Sequence, residues 1–229
     1  MTDVLQPALV IAVDGPSGSG KSSTSRAVAA QLGAAYLDTG AMYRALAIWC
    51  DQQGIAAEQA DQVRQEAAEF PLVVDTNPDD FRVELAGTDI TSELHSPRVS
   101  GMVSGYAAIR PARNELTAQM RQIIADRGRI VVEGRDITTV VAPDADVRVL
   151  LQADPQRRIA RRVQQLNGAA DQQTVTQQVI GRDALDSTSS QFETPAPGVT
   201  LIDSTDLDLE TVIERVIALV PHPLIKPIT

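Results

Sequence analysis

The sequence predicts an α/β fold built on a five-stranded parallel sheet covered by helices on both faces, with a small antiparallel insert. Three observations carry that expectation. Five short apolar runs alternate with helical stretches, the pattern of parallel strands buried on both sides. A glycine-rich motif joins the first run to the first helix, as phosphate-binding loops do. From residue 71 to about 94 the texture changes to short strand-like runs set between turn residues.

The elements follow in order. Residues 8–13 read as a buried strand, and 21–32 as a helix closed by Gly33. A strand at 35–37 leads through Asp38-Thr39-Gly40 into a helix running to about residue 53, where Gly54 ends it. Residues 58–69 form a further helix. The insert holds strands at 72–74 and 81–85, with turns at Asn77-Pro78-Asp79-Asp80 and Gly87-Thr88-Asp89. Helical texture returns at 111–127 and stops at Gly128. Strands at 130–133 and 147–151 follow, then helices at 155–166 and 174–185, a strand at 199–202 and an amphipathic helix at 209–220.

Composition narrows the function. A chain of 229 residues suits one compact domain, and 43% hydrophobic with 22% charged residues excludes a disordered one. A net charge of −10 argues against a nucleic-acid surface, whose binding is driven by phosphate neutralisation. The single cysteine, Cys50, sits in an apolar run and reads as a buried, inert thiol. It permits neither an internal disulfide nor a cysteine zinc site, and with only His95 and His222 a multi-histidine metal site is not expected. No apolar run approaches the roughly 18–20 residues of a membrane span, and Met-Thr-Asp does not open a signal peptide. A cytoplasmic monomer is the default expectation. Lysine occurs only at 21 and 226, arginine supplying every other strong base.

The strongest signal is Gly15-Pro16-Ser17-Gly18-Ser19-Gly20-Lys21-Ser22, which fits G-x-x-x-x-G-K-[ST] at every fixed position. Glycines let backbone N–H groups turn inward around a phosphate, and the helix that follows adds its positive end. Lys21 would carry a mobile charge to the β- and γ-phosphates of ATP. The Ser22 hydroxyl would ligate Mg2+, and Ser23 would line the same donor site. The strand before and the helix after are both present, which places the fold in the P-loop NTPase type. A GTPase would need an Asn-Lys-x-Asp run, which is absent. A motor ATPase would carry an acid at the end of a bulky apolar strand, and Ile130-Val131-Val132-Glu133 could imitate one.

Two more motifs lie at expected carboxyl ends of strands, where ligands bind in open α/β sheets: Asp38 to Arg44, and Glu133-Gly134-Arg135-Asp136. Each offers an arginine whose planar fork suits a phosphate. Together with the phosphate loop, with Thr139-Val140-Val141 before Pro143-Asp144-Ala145, and with Arg182-Asp183-Ala184-Leu185-Asp186-Ser187, these segments resemble the bacterial cytidylate kinases from about Leu9 to Asp208.

The resemblance implies one P-loop kinase domain with an acceptor-binding insert at about 65–110 and a helical lid at about 155–190. It implies transfer of a phosphoryl group from ATP to CMP or dCMP. By similarity Tyr43, Arg44 and Arg135 would hold the CMP phosphate, and Thr39 would line the CMP site. Ser104, Arg113 and Asp136 would read cytosine, whose N4 donates to a carboxylate while N3 and O2 accept from a guanidinium. Arg182 and Asp186 would bind the ribose. Arg158, Arg161 and Arg162 would close over the ATP phosphates, with Arg161, Arg162, Arg135 and Lys21 assisting transfer.

Each assignment has a plainer alternative. Asp136 could cap a helix or pair with a neighbouring arginine, and Arg113 could lie on a solvated face. The arginines at 157, 158, 161 and 162 form two stacked pairs on one helical face, and Asp154 is the only acid nearby in sequence. The chain also departs from the family: Ser189 stands where an arginine is expected, and Thr138 where a glycine is expected. Arg110 is a candidate to replace the missing charge. Rival readings are a kinase of another small metabolite and a nucleotide-binding regulator without turnover.

Overall fold

The computed structural model describes residues 7–165, 181, 192 and 194–225. Its central sheet is parallel throughout. In chain order β1 (Leu9–Asp14) leads to α1 (Lys21–Leu32), β2 (Ala35–Asp38), α2 (Thr39–Gln52) and α3 (Ala60–Glu69). A three-stranded antiparallel sheet follows: β3 (Leu72–Val74), β4 (Val83–Leu85) and β5 (Thr88–Asp89). Then come α4 (Pro97–Ala107), α5 (Arg110–Arg127), β6 (Arg129–Gly134), a π-helical turn (Ile137–Val141), β7 (Val147–Gln152) and α6 (Pro155–Gln165). Strand β8 (Thr200–Asp203) and α7 (Leu209–Ile217) complete the described fold.

The large sheet is ordered β2-β6-β1-β7-β8. Strand β1 is therefore central, paired with β6 from Leu9↔Arg129 to Asp14↔Gly134 and with β7 from Ile11↔Val147 to Asp14↔Leu150. Its neighbours come from far along the chain, and connections leave to both sides of it. That reversal opens a crevice at the carboxyl ends of β1 and β6, where Asp14 and Gly134 lie opposite each other. The buried faces are aliphatic, from Ile11 and Val13 in β1 to Val131 and Val132 in β6. Arg129 ties the opposite end of the sheet together: its guanidinium donates to the carbonyls of Leu32 (2.9 Å), Pro7 (3.2 Å) and Leu224 (3.0 Å).

The five parallel strands occur as the sequence predicts, and the antiparallel insert does too, except that Thr88–Asp89, read as a turn, forms its third strand and the strand expected at 81–85 is confined to Val83–Leu85. Helix α4 was not anticipated. Ser96 caps it by accepting the Val99 N–H, and Pro97 occupies the first turn, a recognisable start. Gly101 and Gly105 argue against a helix on propensity alone, but tertiary contact overrides them, with Val99, Val103 and Tyr106 buried. Cys50 is buried as expected, and burial pushes its thiol up to about 11. The helix expected at 174–185 lies outside the described residues except for Gly181, which is helical, and Arg182, Asp186 and Ser189 lie outside them too. No described helix is long and apolar enough to cross a membrane.

Candidate active site

The phosphate loop leaves β1 at Asp14 and enters α1 at Lys21. Gly20 (φ 95°) caps that helix and Gly18 has φ 76°, left-handed backbone that glycine adopts without strain. A side chain at position 18 would also meet the Arg158 carbonyl, which closes over the loop. Lys21 Nζ donates to the Pro16 carbonyl at 3.3 Å, so the ammonium lies back along the loop it serves.

Below the loop, the Asp14 carboxylate accepts the backbone N–H groups of Ile137 and Thr138, both at 2.8 Å, and the Thr138 hydroxyl at 2.6 Å. Burial pushes its carboxyl up from the ordinary value while these donors pull it back. The foot of the phosphate loop is thus tied to the turn that follows β6. Thr138, where the resemblance led us to expect glycine, belongs to this link.

Helix α6 clamps the loop from above. Arg158 donates from Nε to the Ala153 carbonyl (3.2 Å) and from Nη1 to the Ser17 carbonyl (3.1 Å). Arg161 donates to the Ser204 carbonyl (2.7 Å), the Ser204 hydroxyl (3.1 Å) and the Ser19 carbonyl (3.4 Å). Ser204 in turn donates to the Ser19 carbonyl at 3.0 Å. The expected cluster of four like-facing arginines is not what forms. Arg157 turns outward to Asp206 (3.3 Å), an acid from the loop after β8 that lies far away in sequence. Consecutive helical residues diverge by about 100°, so Arg157 and Arg158 take different faces.

Across the crevice a single cavity runs from Lys21 and Ser22 to α4 and α5. Thr39, Tyr43, Arg44, Ser104, Arg113, Arg135 and Asp136, all expected acceptor residues, line it. Arg113 pairs with Asp136, donates from Nη1 to the Ala107 carbonyl (2.9 Å) and lies over the Tyr43 ring, 5.3 Å from its centre. Burial lifts the Tyr43 hydroxyl to about 12, so it stays a donor at neutral pH. Thr39 donates its hydroxyl to the Glu133 carbonyl at 2.8 Å, which pins the start of α2 to the end of β6. Arg44 is buried with its Nε unpartnered among the described residues. Arg162 comes close enough for the Arg44 charge to weaken its own hold on a proton, though burial is the larger cause. Two guanidinium groups crowded at one end of a crevice suit a bound anion.

The family model described as cytidylate kinase matches residues 11–222. The chain belongs to the cytidylate kinase family. The cytidylate kinase of Cutibacterium acnes is 55% identical over 94% of this chain and 97% of its own length. Those of Corynebacterium efficiens (43%, covering 92% and 94%) and Streptomyces avermitilis (41%, covering 93% of each) are more distant. A solved structure of TT1252 from Thermus thermophilus shares 14% identity at a TM-score of 0.47, covering 93% and 98%.

For a cytidylate kinase, the described acceptor residues converge, while Arg182 and Asp186 lie outside the described residues. Arg110, the proposed substitute for a missing arginine, is exposed at the start of α5 and absent from the cavity wall. Sequence reasoning placed Asp38 and Glu133 in motifs facing the crevice without giving either a role, and it missed His95, which lines the same cavity, and Phe192, whose ring lies 4.4 Å from the Arg135 guanidinium. Glu133 is 1% exposed and accepts the Tyr36 hydroxyl at 2.5 Å. Burial, then the nearby Asp38 charge, pushes its carboxyl up, while Lys21 and Ser22 pull it down. Its signal was present in the apolar strand ending in an acid, which pointed towards a rival class of P-loop protein.

Proposed function

We propose that the chain transfers the γ-phosphoryl group of ATP to the phosphate of CMP or dCMP, giving CDP or dCDP and ADP. Within the family, one observation carries the assignment of roles: a single cavity joins Lys21 and Ser22 of the phosphate loop to Arg44, Arg113, Arg135 and Asp136. An acceptor phosphate dianion is already a nucleophile and needs no general base. Catalysis is then positioning and charge neutralisation.

In this reading Gly15, Gly18, Gly20 and the intervening Pro16, Ser17 and Ser19 wrap the donor phosphates, with Ser23 lining the same site. Lys21 swings from the Pro16 carbonyl to the phosphoryl being transferred. Arg44, Arg135 and Arg162 neutralise the oxygens between donor and acceptor. Arg158 and Arg161 hold the loop rigid, since their hydrogens go to its carbonyls. Asp136 accepts from cytosine N4 and Arg113 donates to N3 or O2; uracil would set its O4 against the carboxylate. Arg182 and Asp186 complete the ribose side.

The Ser22 hydroxyl and the buried Glu133 carboxylate offer hard oxygens beside the loop, and no cluster of three metal-ligating side chains exists among the described residues. That fits Mg2+, which keeps its waters and takes few protein ligands when it arrives with a nucleotide. Bound there, Mg2+ would neutralise charge on the β- and γ-phosphates. The proposal is one P-loop kinase domain with an acceptor insert at 65–110 and a lid at 155–190, working as a cytoplasmic monomer.

The test is ADP release from ATP across CMP, dCMP, UMP and AMP. CMP and dCMP should exceed UMP in kcat/KM by up to roughly 10⁴-fold, as a hydrogen-bonding site discriminates. Turnover of UMP or AMP as fast as CMP would overturn the base assignment.

A further inference from the structure

We propose that Gly40 is a positioning residue for Arg44: the bare helix surface at position 40 seats the Arg44 guanidinium where it can meet the acceptor phosphate. The inference rests on the proposed role of Arg44, and goes beyond it in naming what sets the place of that side chain.

Gly40 lies in the first turn of α2, one helical turn before Arg44. It lacks the positive φ of Gly18 or Gly20, so its backbone conformation does not call for glycine. Glycine inside a helix is less favourable than alanine. Space accounts for it instead. A Cβ at position 40 would lie 2.7 Å from Arg44 Nη1 and 3.0 Å from Asp38 Oδ1, the oxygen that caps α2 by accepting the Ala41 N–H. Ordinary contact begins at 3.4 Å, so the methyl and Nη1 cannot both keep their places. The other helical glycines among the described residues differ. A Cβ at Gly101 or Gly181 would meet nothing within 4 Å, and one at Gly105 only the Ala57 Cβ at 3.4 Å.

The helix brings the two residues together. Helical side chains lean towards the N-terminus, so a residue covers the surface one turn before its own Cα. Arg44 therefore passes over position 40, and both residues line the cavity that runs from the phosphate loop to the acceptor wall. Arg44 is 8% exposed and its Nε has no hydrogen-bond partner, so that nitrogen does not fix the side chain. Arg113, on the same wall, is held by the Asp136 carboxylate, which neutralises charge as it orients. A seat on bare backbone places a guanidinium without cancelling its charge. It also restricts a long side chain before substrate arrives, lowering the ordering cost of binding a dianion.

The test compares Gly40→Ala in the full chain with the same substitution in an Arg44→Lys background. Arg44 Cζ lies 3.8 Å from the added Cβ, so an ammonium ending near that point clears the methyl. We expect Gly40→Ala alone to lower kcat/KM for CMP roughly 10- to 100-fold, the effect of misplacing a binding group on the scale of an ångström. KM for ATP should stay near wild type, and Tm should hold or rise because alanine favours the helix. CMP binding without ATP, followed by fluorescence of Trp49, the sole tryptophan, should weaken in parallel. In the Arg44→Lys background Gly40→Ala should add little. A multiplied loss there would mean that the methyl meets the acceptor itself, and the proposal would be wrong. It would be equally wrong if Gly40→Ala left CMP binding unchanged, or if CMP and ATP binding fell together with Tm. A crystal structure of Gly40→Ala reads the effect without turnover: the Arg44 guanidinium should be displaced, and finding it in its original place would sink the idea. Wild-type protein that neither binds nor turns over CMP would instead refute the proposed function, and the crystal structure would still decide whether Gly40 seats Arg44.

Discussion

On the donor side of the crevice, Arg158 and Arg161 give their guanidinium hydrogens to backbone carbonyls of Ala153, Ser17, Ser19 and Ser204. On the acceptor side Arg113 gives its hydrogens to the Asp136 carboxylate and lies on Tyr43, Arg135 lies on Phe192, and Arg44 keeps an unpartnered buried Nε. Carbonyl contacts leave the positive charge in place while fixing the shape of the loop. A carboxylate contact cancels charge but adds an acceptor that can read a base. In the proposed reading the donor wall therefore holds a shape common to every ATP, and the acceptor wall discriminates.

The sharpest way to break this comparison is at the donor. Lys21 donates to the Pro16 carbonyl and would follow the moving phosphoryl. Lys21→Ala should lower kcat by about 10²–10⁴, because a charge realised in the transition state is lost. Binding of CMP, read from Trp49 fluorescence, should change little. Near-wild-type turnover by coupled ADP release would remove Lys21 from the chemistry.

A smaller effect should separate the acceptor wall. Asp136→Ala leaves Arg113 buried without its carboxylate and removes the acceptor for cytosine N4. We expect kcat/KM for CMP to fall roughly 10²-fold and that for UMP to fall far less, since uracil makes no use of the carboxylate. Equal losses on both would show that Asp136 only orients Arg113 and does not read the base.

The phosphate loop of the donor wall was legible in the sequence because its residues are contiguous. Six loop positions and one lysine carry the geometry, and the strand and helix around them are strongly patterned. The acceptor wall was legible only through resemblance, since Arg44, Arg113 and Asp136 come from α2, α5 and the end of β6 and no local pattern joins them. Three features were out of reach for identifiable reasons. The outward partner of Arg157 is Asp206, brought in by parallel pairing of β7 and β8 rather than by sequence proximity. Helix α4 hides behind two glycines. Phe192 sits in a polar, proline-flanked segment where an isolated aromatic gives no periodic signal. Glu133 was visible, but an acid at a strand end serves several P-loop families and does not by itself choose among them.

The mildest test falls on the link beneath both walls. Thr138 donates its hydroxyl and N–H to Asp14, joining the foot of the phosphate loop to the turn that carries Asp136. Thr138→Val keeps the shape and removes one of three donors to a buried carboxylate, which should cost about 2 kcal/mol, or roughly 4–8 °C in Tm at pH 7. Burial holds the Asp14 carboxyl above its ordinary 3.8, and the Thr138 hydroxyl acts against that shift. A carboxyl raised on folding favours the folded state most where it is protonated, and that favour is lost as pH rises through its folded value. Removing the hydroxyl raises it further, so the penalty of the variant must grow from pH 4.5 to pH 7 and shrink on acidification. Activity should stay within the same order of magnitude, because no group that touches substrate has moved. Thermal melts of wild type and Thr138→Val across that range decide the matter: a Tm gap that is constant or widens at low pH would mean the hydroxyl merely fills space, and that the threonine found in place of the family's glycine does not serve Asp14.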